Sequence, residues 1–275
     1  MTITAADINK LRQMTGAGMM DCKKALTEAE GDFEKAIDEL RKKGQKVAAN
    51  RSDRDSKEGV VVAKTTADNA KGVVLAVNCE TDFVAKNEAY QQMANTMLDI
   101  AIAKNAKNAD ELKALAYDDK ITIGEKLIEQ TGVIGEKIEL TKYEIVEAPF
   151  VIAYNHPGSR LANIVGFSSA VVNAEVAKDV AMQVAAMAPV AVDKGDVDAE
   201  TIQREIEVGK EQARAEGKAE DMLEKIALGK LNKFYKESTL LNQEFIKDNK
   251  KTIAQYMNDS EKGLTVTGFK RIALS

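Results

Sequence analysis

The chain has 275 residues, 44% of them hydrophobic and 30% charged, with a formal net charge of −5. That is length and composition enough for two or three small globular domains with a sizeable core. The acidic balance excludes a broad nucleic-acid-binding face, which needs clustered Lys and Arg to displace counterions. No run approaches the ~20 apolar residues needed to cross a bilayer, and the N-terminus shows no leader pattern. Cys22 and Cys79 lie far apart with no CxxC spacing. The expectation is a reduced, cytoplasmic protein that binds neither membrane nor nucleic acid directly.

The first segment, residues 1–44, reads as three short helices. Thr4 and Asp7 form a capping-box-like start, and Ile8 and Leu11 give the first helix an apolar stripe. Gly16-Ala17-Gly18 breaks it. A second helix runs from about Met19 to Ala29. Asp32 caps the third, where Phe33, Ala36, Ile37 and Leu40 recur at helical spacing. Adjacent Met19 and Met20 point about 100° apart, so both cannot enter so thin a core. At least one is expected at the surface, where methionine suits an adaptable binding face, although two core gap-fillers would be the plainer reading. Residues 45–58 are polar and mixed in charge, and read as a solvated linker with a short helical start at Gln45 to Ala49.

Residues 59–148 form the first part of the core. Two β-rich runs, Gly59 to Thr66 and Gly72 to Asn78, make a hairpin. A long helix follows with Tyr90, Met93, Ala94, Met97, Leu98 and Ala101 on one face. A short helix holds Leu112 and Leu115, another spans Ile123 to Gln130 and ends at Thr131-Gly132, and Lys137 to Val146 alternates like a strand. Residues 149–192 repeat the theme, with a hairpin turning at Asn155-His156-Pro157-Gly158 and a helix carrying Val176, Val180, Val184 and Met187. The fold class is therefore α+β, two related halves each with helices on one face of an antiparallel sheet.

Residues 193–234 are highly charged with a sparse apolar seam of Ile202, Ile206, Gly209, Ala213, Met222, Leu223, Ile226 and Phe234. The seam breaks at Glu216-Gly217-Lys218. The pattern predicts an antiparallel helical hairpin of coiled-coil type, projecting from the core rather than lying flat on it. Residues 235–275 rejoin the second half through an extended piece at Gln243 to Ile246, a helix at Lys251 to Met257 and a last strand at Leu264 to Ala273.

Chemistry is sparse. His156 is the single histidine, and no His, Cys and carboxylate cluster has metal-ligand spacing. Cys79 and His156 could form a nucleophile and base, but a strand-end cysteine is more often a small buried hydrophobe. No GxxxxGK[ST] phosphate loop occurs, and Gly16-Ala17-Gly18 sits between two helices. The informative stretch is Thr81-Asp82-Phe83-Val84, where a strand passes into a helix. Phe83 there is either a staple folded back on the following helix or a projecting aromatic anchor beside a charge.

Asn78-Cys79-Glu80-Thr81-Asp82-Phe83-Val84-Ala85-Lys86 resembles the core signature of the elongation factor Ts family. Leu11-Arg12 followed by Thr15-Gly16-Ala17-Gly18-Met19-Met20-Asp21-Cys22-Lys23-Lys24-Ala25-Leu26 resembles that family's N-terminal signature. The resemblance runs from residue 4 to about 272 and departs from longer members in reaching Ser275 soon after the last strand. It implies a three-helix domain of ubiquitin-associated (UBA) type at the N-terminus, a two-subdomain core, and the projecting coiled coil. It also implies guanine nucleotide exchange on elongation factor Tu. The chain would be no enzyme and hold no cofactor, acting instead on the Mg²⁺ and GDP bound to its partner. By the same resemblance Asp82 and Phe83, flanked by Thr81 and Val84, intrude against the partner's nucleotide domain near its magnesium site. Ile134 and His156 add contacts there, and Met19, Met20 and Lys23 dock on that domain. An adaptor that binds a partner through the UBA-like bundle without exchange activity is the alternative.

Overall fold

The computed structural model describes residues 3–170 and 172–275. Helix α1 (Ala5–Thr15) starts at a capping box between Thr4 and Asp7 and stops at Gly16, whose φ of +72° closes the helix in the left-handed region. Helix α2 (Met19–Glu28) follows, then α3 (Phe33–Asn50), capped by the Asp32 carboxylate. Leu11, Cys22, Leu26 and Ala36 fill the core between them, and Val133 from a distant helix packs against it.

The third helix does not stop at Gly44 as expected. It continues to Asn50, with Gly44 buried inside it. The reason is tertiary. A methyl group at Gly132 would collide with the backbone of Gly44, and one at Gly44 would stand 3.1 Å from the Ile128 carbonyl oxygen. Two helices cross there at backbone contact, and the packing gained outweighs the helix propensity that glycine lacks. The segment expected as a free linker shortens to residues 51–57, and it too is tied down. Asn78 donates to the carbonyls of Ser56 and Glu58.

Strands β1 (Glu58–Thr65) and β2 (Lys71–Cys79) form the expected hairpin. The chain then makes α4 (Asp82–Ala85), α5 (Glu88–Lys104), α6 (Ala109–Ala114), α7 (Ile123–Ile134) and β3 (Glu139–Glu147), giving an antiparallel sheet ordered β1-β2-β3. Helix α7 passes the expected stop at Gly132 and ends at Gly135, φ +79°, because Gly132 serves the crossing with α3. The second half begins with β4 (Phe150–Asn155), β5 (Leu161–Phe167) and α8 (Ala174–Met187). Next come α9 (Ala199–Ala215) and α10 (Glu220–Ser238). The chain closes with a two-stranded ribbon, β6 (Glu244–Phe245) and β7 (Asp248–Thr252), then α11 (Ile253–Ser260) and β8 (Val266–Ala273). The second sheet is ordered β4-β5-β8.

The layers follow from period-two patterning on strands buried on both faces. Val73, Leu75 and Val77 of β2 face the core shared with α5, α6 and α7. Val74 and Ala76, one residue out of phase, face Val151, Ala162 and Ile164 of the second sheet. Val165 and Phe167 of β5 point the other way, into a core with α8 and α11. The stack is helices, sheet, sheet, helices. Gly72 and Gly166 let the sheets close, since a Cβ at either would come within 2.8 Å of side chains opposite. On α5 the buried residues are Tyr90, Met93, Ala94, Met97, Leu98 and Ala101, the predicted face. Met187, expected on the buried face of α8, is exposed at its C-terminal end.

Helices α9 and α10 pair antiparallel, with Gly209 set against the Ala227 Cα. Among the described residues their substantial packing outside the pair is confined to the base, where α10 meets the turn at Leu240–Asn242. The seam on α10 is Leu223, Ala227 and Leu231. Met222, expected in it, is exposed. The small contact at Gly209 brings the backbones close, and this rotates α10 so that Ala227 faces the partner helix.

Candidate functional site

Strand β2 is buried along its whole length through Cys79, and the chain leaves the sheet as a polar turn. The Glu136 carboxylate receives the backbone N–H of Glu80 at 3.1 Å, the N–H of Thr81 at 3.0 Å and the Thr81 hydroxyl at 2.6 Å. The Glu80 carboxylate in turn receives the Lys137 N–H and the Arg51 guanidinium, each at 2.7 Å. Burial pushes the Glu80 carboxyl up, but the Lys137 N–H and the Arg51 charge more than offset it, and Glu80 stays below the usual carboxylate range. Arg51 was expected to be a solvated linker charge. It instead joins the end of α3 to this turn.

From the turn emerges the single helical turn α4. Val84 packs against the core below and Ala85 is buried, so the downstream side is anchored. Phe83 points the other way and is 82% exposed, the largest exposure among the exposed apolar side chains described. The staple reading is therefore excluded: Phe83 folds back on nothing. Asp82 is half-exposed, and Lys86, one helical turn on, holds it in an ion pair of 2.6 Å. That hydrogen bond keeps the Asp82 carboxyl below its ordinary value, so it is ionised at neutral pH.

Ile134, the last residue of α7, is half-buried against the core. It precedes Gly135 and Glu136, so the helix end and the Thr81 turn lie side by side. On its other flank Val133 packs into the bundle core, and a cavity between the two is lined by Ala17, Asp21, Gly132 and Val133. The end of α7 is thus the hub where the start of α2 and the Phe83 turn meet. Met19 is 44% and Met20 75% exposed, which excludes the reading of both as core fillers. Lys23 is also exposed, whereas Asp21 pairs with Lys43 at 2.5 Å.

His156 sits apart from the hub, exposed in the turn between β4 and β5. The Ser159 N–H bonds the His156 carbonyl at 3.2 Å and Gly158 has φ +90°, the positions of a type II turn with Pro157 at its first corner. The imidazole Nδ1 lies 3.1 Å from the Tyr154 hydroxyl. The turn rests on the first half of β1, where the Val61 N–H bonds the Ser159 carbonyl and Arg160 pairs with Glu58. Glu58 is opposite Cys79 in the sheet. Cys79 itself is fully buried, and burial raises its thiol to about 11. A thiol so placed is no nucleophile at neutral pH. Among the described residues no His, Cys, Asp and Glu group could hold a metal ion, and no helix is long and apolar enough to cross a membrane.

A model of the family described as Elongation factor TS matches residues 80–275. The chain is 54% identical to the elongation factor Ts of Flavobacterium psychrophilum over 99% of each chain. It is 54% identical to that of Cytophaga hutchinsonii, over 100% of this chain and 99% of the other. The elongation factor Ts of Porphyromonas gingivalis is 48% identical over the same shares. The chain belongs to the elongation factor Ts family. The matched span opens at Glu80, so it takes in the Thr81–Val84 turn, Ile134, Glu136 and His156. Met19, Met20, Lys23 and Arg51 precede it, but the family's relatives align with them across their full length.

Two groups at this site had no role in the sequence reading. Glu80 belongs to the recognised signature yet carried no function, and Glu136 stands 55 residues from Thr81. Only the fold joins them. The one local signal was Gly135, a helix-stopping glycine that turns Glu136 back toward the sheet.

Proposed function

We propose that this chain releases GDP from elongation factor Tu by driving Phe83 and Asp82 against that partner's nucleotide domain near its Mg²⁺. The single observation that carries this reading is Phe83, an aromatic 82% exposed on a turn whose backbone is hydrogen-bonded on one side and packed on the other. Exposed, the ring contributes nothing to folding. Buried on a partner it gains about 2–3 kcal/mol.

The energetics are those of reciprocal coupling. The exchange factor binds the empty partner more tightly than the loaded one, and each ligand weakens the other by the same factor. A nucleotide held with a Kd of about 1 nM lies about 12 kcal/mol below the free state. Speeding its release about 10⁴-fold takes roughly 5.5 kcal/mol of differential contact at the release transition state, which a few desolvated anchors supply. Displacing Mg²⁺ unscreens the diphosphate. Asp82 brings negative charge beside the Phe83 wedge once Lys86 gives up its surface pair. Ile134 widens the apolar contact, His156 presses from the second turn, and Met19, Met20 and Lys23 seat the bundle. In this reading the bundle is UBA-like and α9 with α10 a short coiled coil. The protein works in the cytoplasm and carries no cofactor of its own.

Stopped-flow release of fluorescent GDP from elongation factor Tu tests this. Phe83→Ala is expected to slow the accelerated release at least tenfold while its circular dichroism and melting temperature stay at the parent values. Unchanged release in a folded Phe83→Ala protein would remove Phe83 from the site. Binding without any acceleration in the parent protein would favour the adaptor.

A further inference from the structure

Phe83 touches little of its own chain, so the direction in which it projects is set by backbone. Downstream, Val84 and Ala85 hold α4 to the core. Upstream, the Glu80 side chain is held by Arg51 and the Lys137 N–H, and the Cys79 thiol donates to the Thr81 carbonyl, but the N–H groups of the turn depend on one side chain. Thr81 is the N-cap of α4, in an extended conformation, yet its hydroxyl caps nothing in that helix. It donates to Glu136 Oε1, while Glu136 Oε2 takes the N–H groups of Glu80 and Thr81. Three donors of two consecutive residues thus converge on one carboxylate, fixing both backbone units and the Thr81 rotamer together. Ionised acceptors make the stronger hydrogen bonds. A glutamine could keep both N–H bonds on its oxygen and turn its NH₂ to the Thr81 hydroxyl oxygen, so only removal of the whole carboxyl group frees all three donors.

We propose that Glu136 is a positioning residue for nucleotide exchange: by clamping Glu80 and Thr81 it holds Phe83 in the pose that enters the partner. This rests on the reading of Phe83 given above. Glu136 is half-buried behind the turn and acts through Phe83 rather than on the nucleotide. Its loss leaves the core and the bundle intact but lets the turn rock. A misplacement on the order of 1 Å costs up to about a hundredfold in a positioned reaction, and partial loosening here is expected to cost roughly tenfold.

The test is stopped-flow GDP release from elongation factor Tu across a concentration series of four full-length proteins: parent, Glu136→Ala, Phe83→Ala and the double variant. Glu136→Ala is expected to lower the plateau rate about tenfold with little change in the half-saturating concentration. In the Phe83→Ala background the same substitution is expected to cost less than about twofold. A tenfold loss that persists without Phe83 overturns the inference, since Glu136 would then act elsewhere, and so does parent-like release by Glu136→Ala beside a slow Phe83→Ala. Parent-like release by Phe83→Ala overturns the Phe83 reading and this inference together. Should Glu136→Ala fold poorly, Thr81→Val removes one donor and Thr81→Ser keeps it. Slow release with valine, rescued by serine, supports the clamp, and equal rates for the two overturn it.

Discussion

The Phe83 turn and the His156 turn both adjoin β1 near its pairing with Cys79, and they are held in different ways. Around Phe83 two carboxylates, Glu80 and Glu136, collect five hydrogen bonds from Arg51, Lys137, Glu80 and Thr81. Around His156 the turn is tied to β1 at its two ends, by Asn155 on the Ala63 backbone and by Ser159 and Arg160 on Val61 and Glu58, and its tip has only its own backbone bond and Tyr154 on the imidazole. Position 83 is therefore a fixed projection on a braced base, and position 156 a ring on a short surface turn. A braced backbone leaves only the side-chain torsions of Phe83 to be ordered on binding, so more of its contact would appear as differential affinity. The imidazole, smaller and already engaged by Tyr154, has less apolar surface to bury and is expected to contribute less.

Removing each ring tests that contrast most directly. Phe83→Ala is expected to slow release at least tenfold and His156→Ala only about threefold, measured side by side with fluorescent GDP. A larger effect at His156 would reverse the comparison. The bracing itself is tested by Glu80→Gln, which removes the charge facing Arg51. Its expected cost is about 1–3 kcal/mol of unfolding free energy, read from urea midpoints. The sign of the pH dependence follows from the lowered Glu80 carboxyl. A carboxylate depressed on folding stabilises fully above the ordinary glutamate value of about 4.3 and loses that contribution as pH falls through its folded value. The parent is thus expected to lose stability on acidification below about pH 5, and Glu80→Gln to lose less over the same range. The smallest effect is expected at Cys79→Ala, with release within about twofold of the parent. In the native protein, with the thiol raised to about 11, alkylation at pH 8 is expected to find roughly one thiolate in a thousand. Rapid labelling of Cys79 would show that the end of β2 opens.

What the sequence conveyed was governed by local rules, and what it hid was governed by contacts between distant segments. The buried face of α5, the Thr4 and Asp32 caps and the first hairpin follow from periodicity and capping, and all occur where expected. Asp82 and Phe83 could be picked out as an acid beside an aromatic at a strand-to-helix junction, but their exposure could not be read from spacing. Gly44 and Gly132 misled, because a glycine at the end of a helical pattern normally reads as a stop. Here each lies inside a helix that continues past it, where two backbones touch. Arg51 and Glu136 carried no signal, since their partners are 29 and 55 residues away. Of the β6–β7 ribbon the β6 side falls in the extended piece expected at Gln243 to Ile246, but β7 was missed because Asp248–Thr252 is polar throughout and has no strand alternation.

The contact of Gly44 with Gly132 also bears on how two weak grips add. With no side chain between α3 and α7, the bundle that carries Met20 has no lubricating layer on which to slide over the helix that ends beside Phe83. In the proposed complex the two surfaces would behave as a bivalent ligand with a very short, stiff tether. If Met19 and Met20 seat on the partner as proposed, the second contact becomes intramolecular, and the loss of rotational and translational freedom has already occurred. A longer or looser connection would dilute that advantage, whatever the affinity of either surface alone.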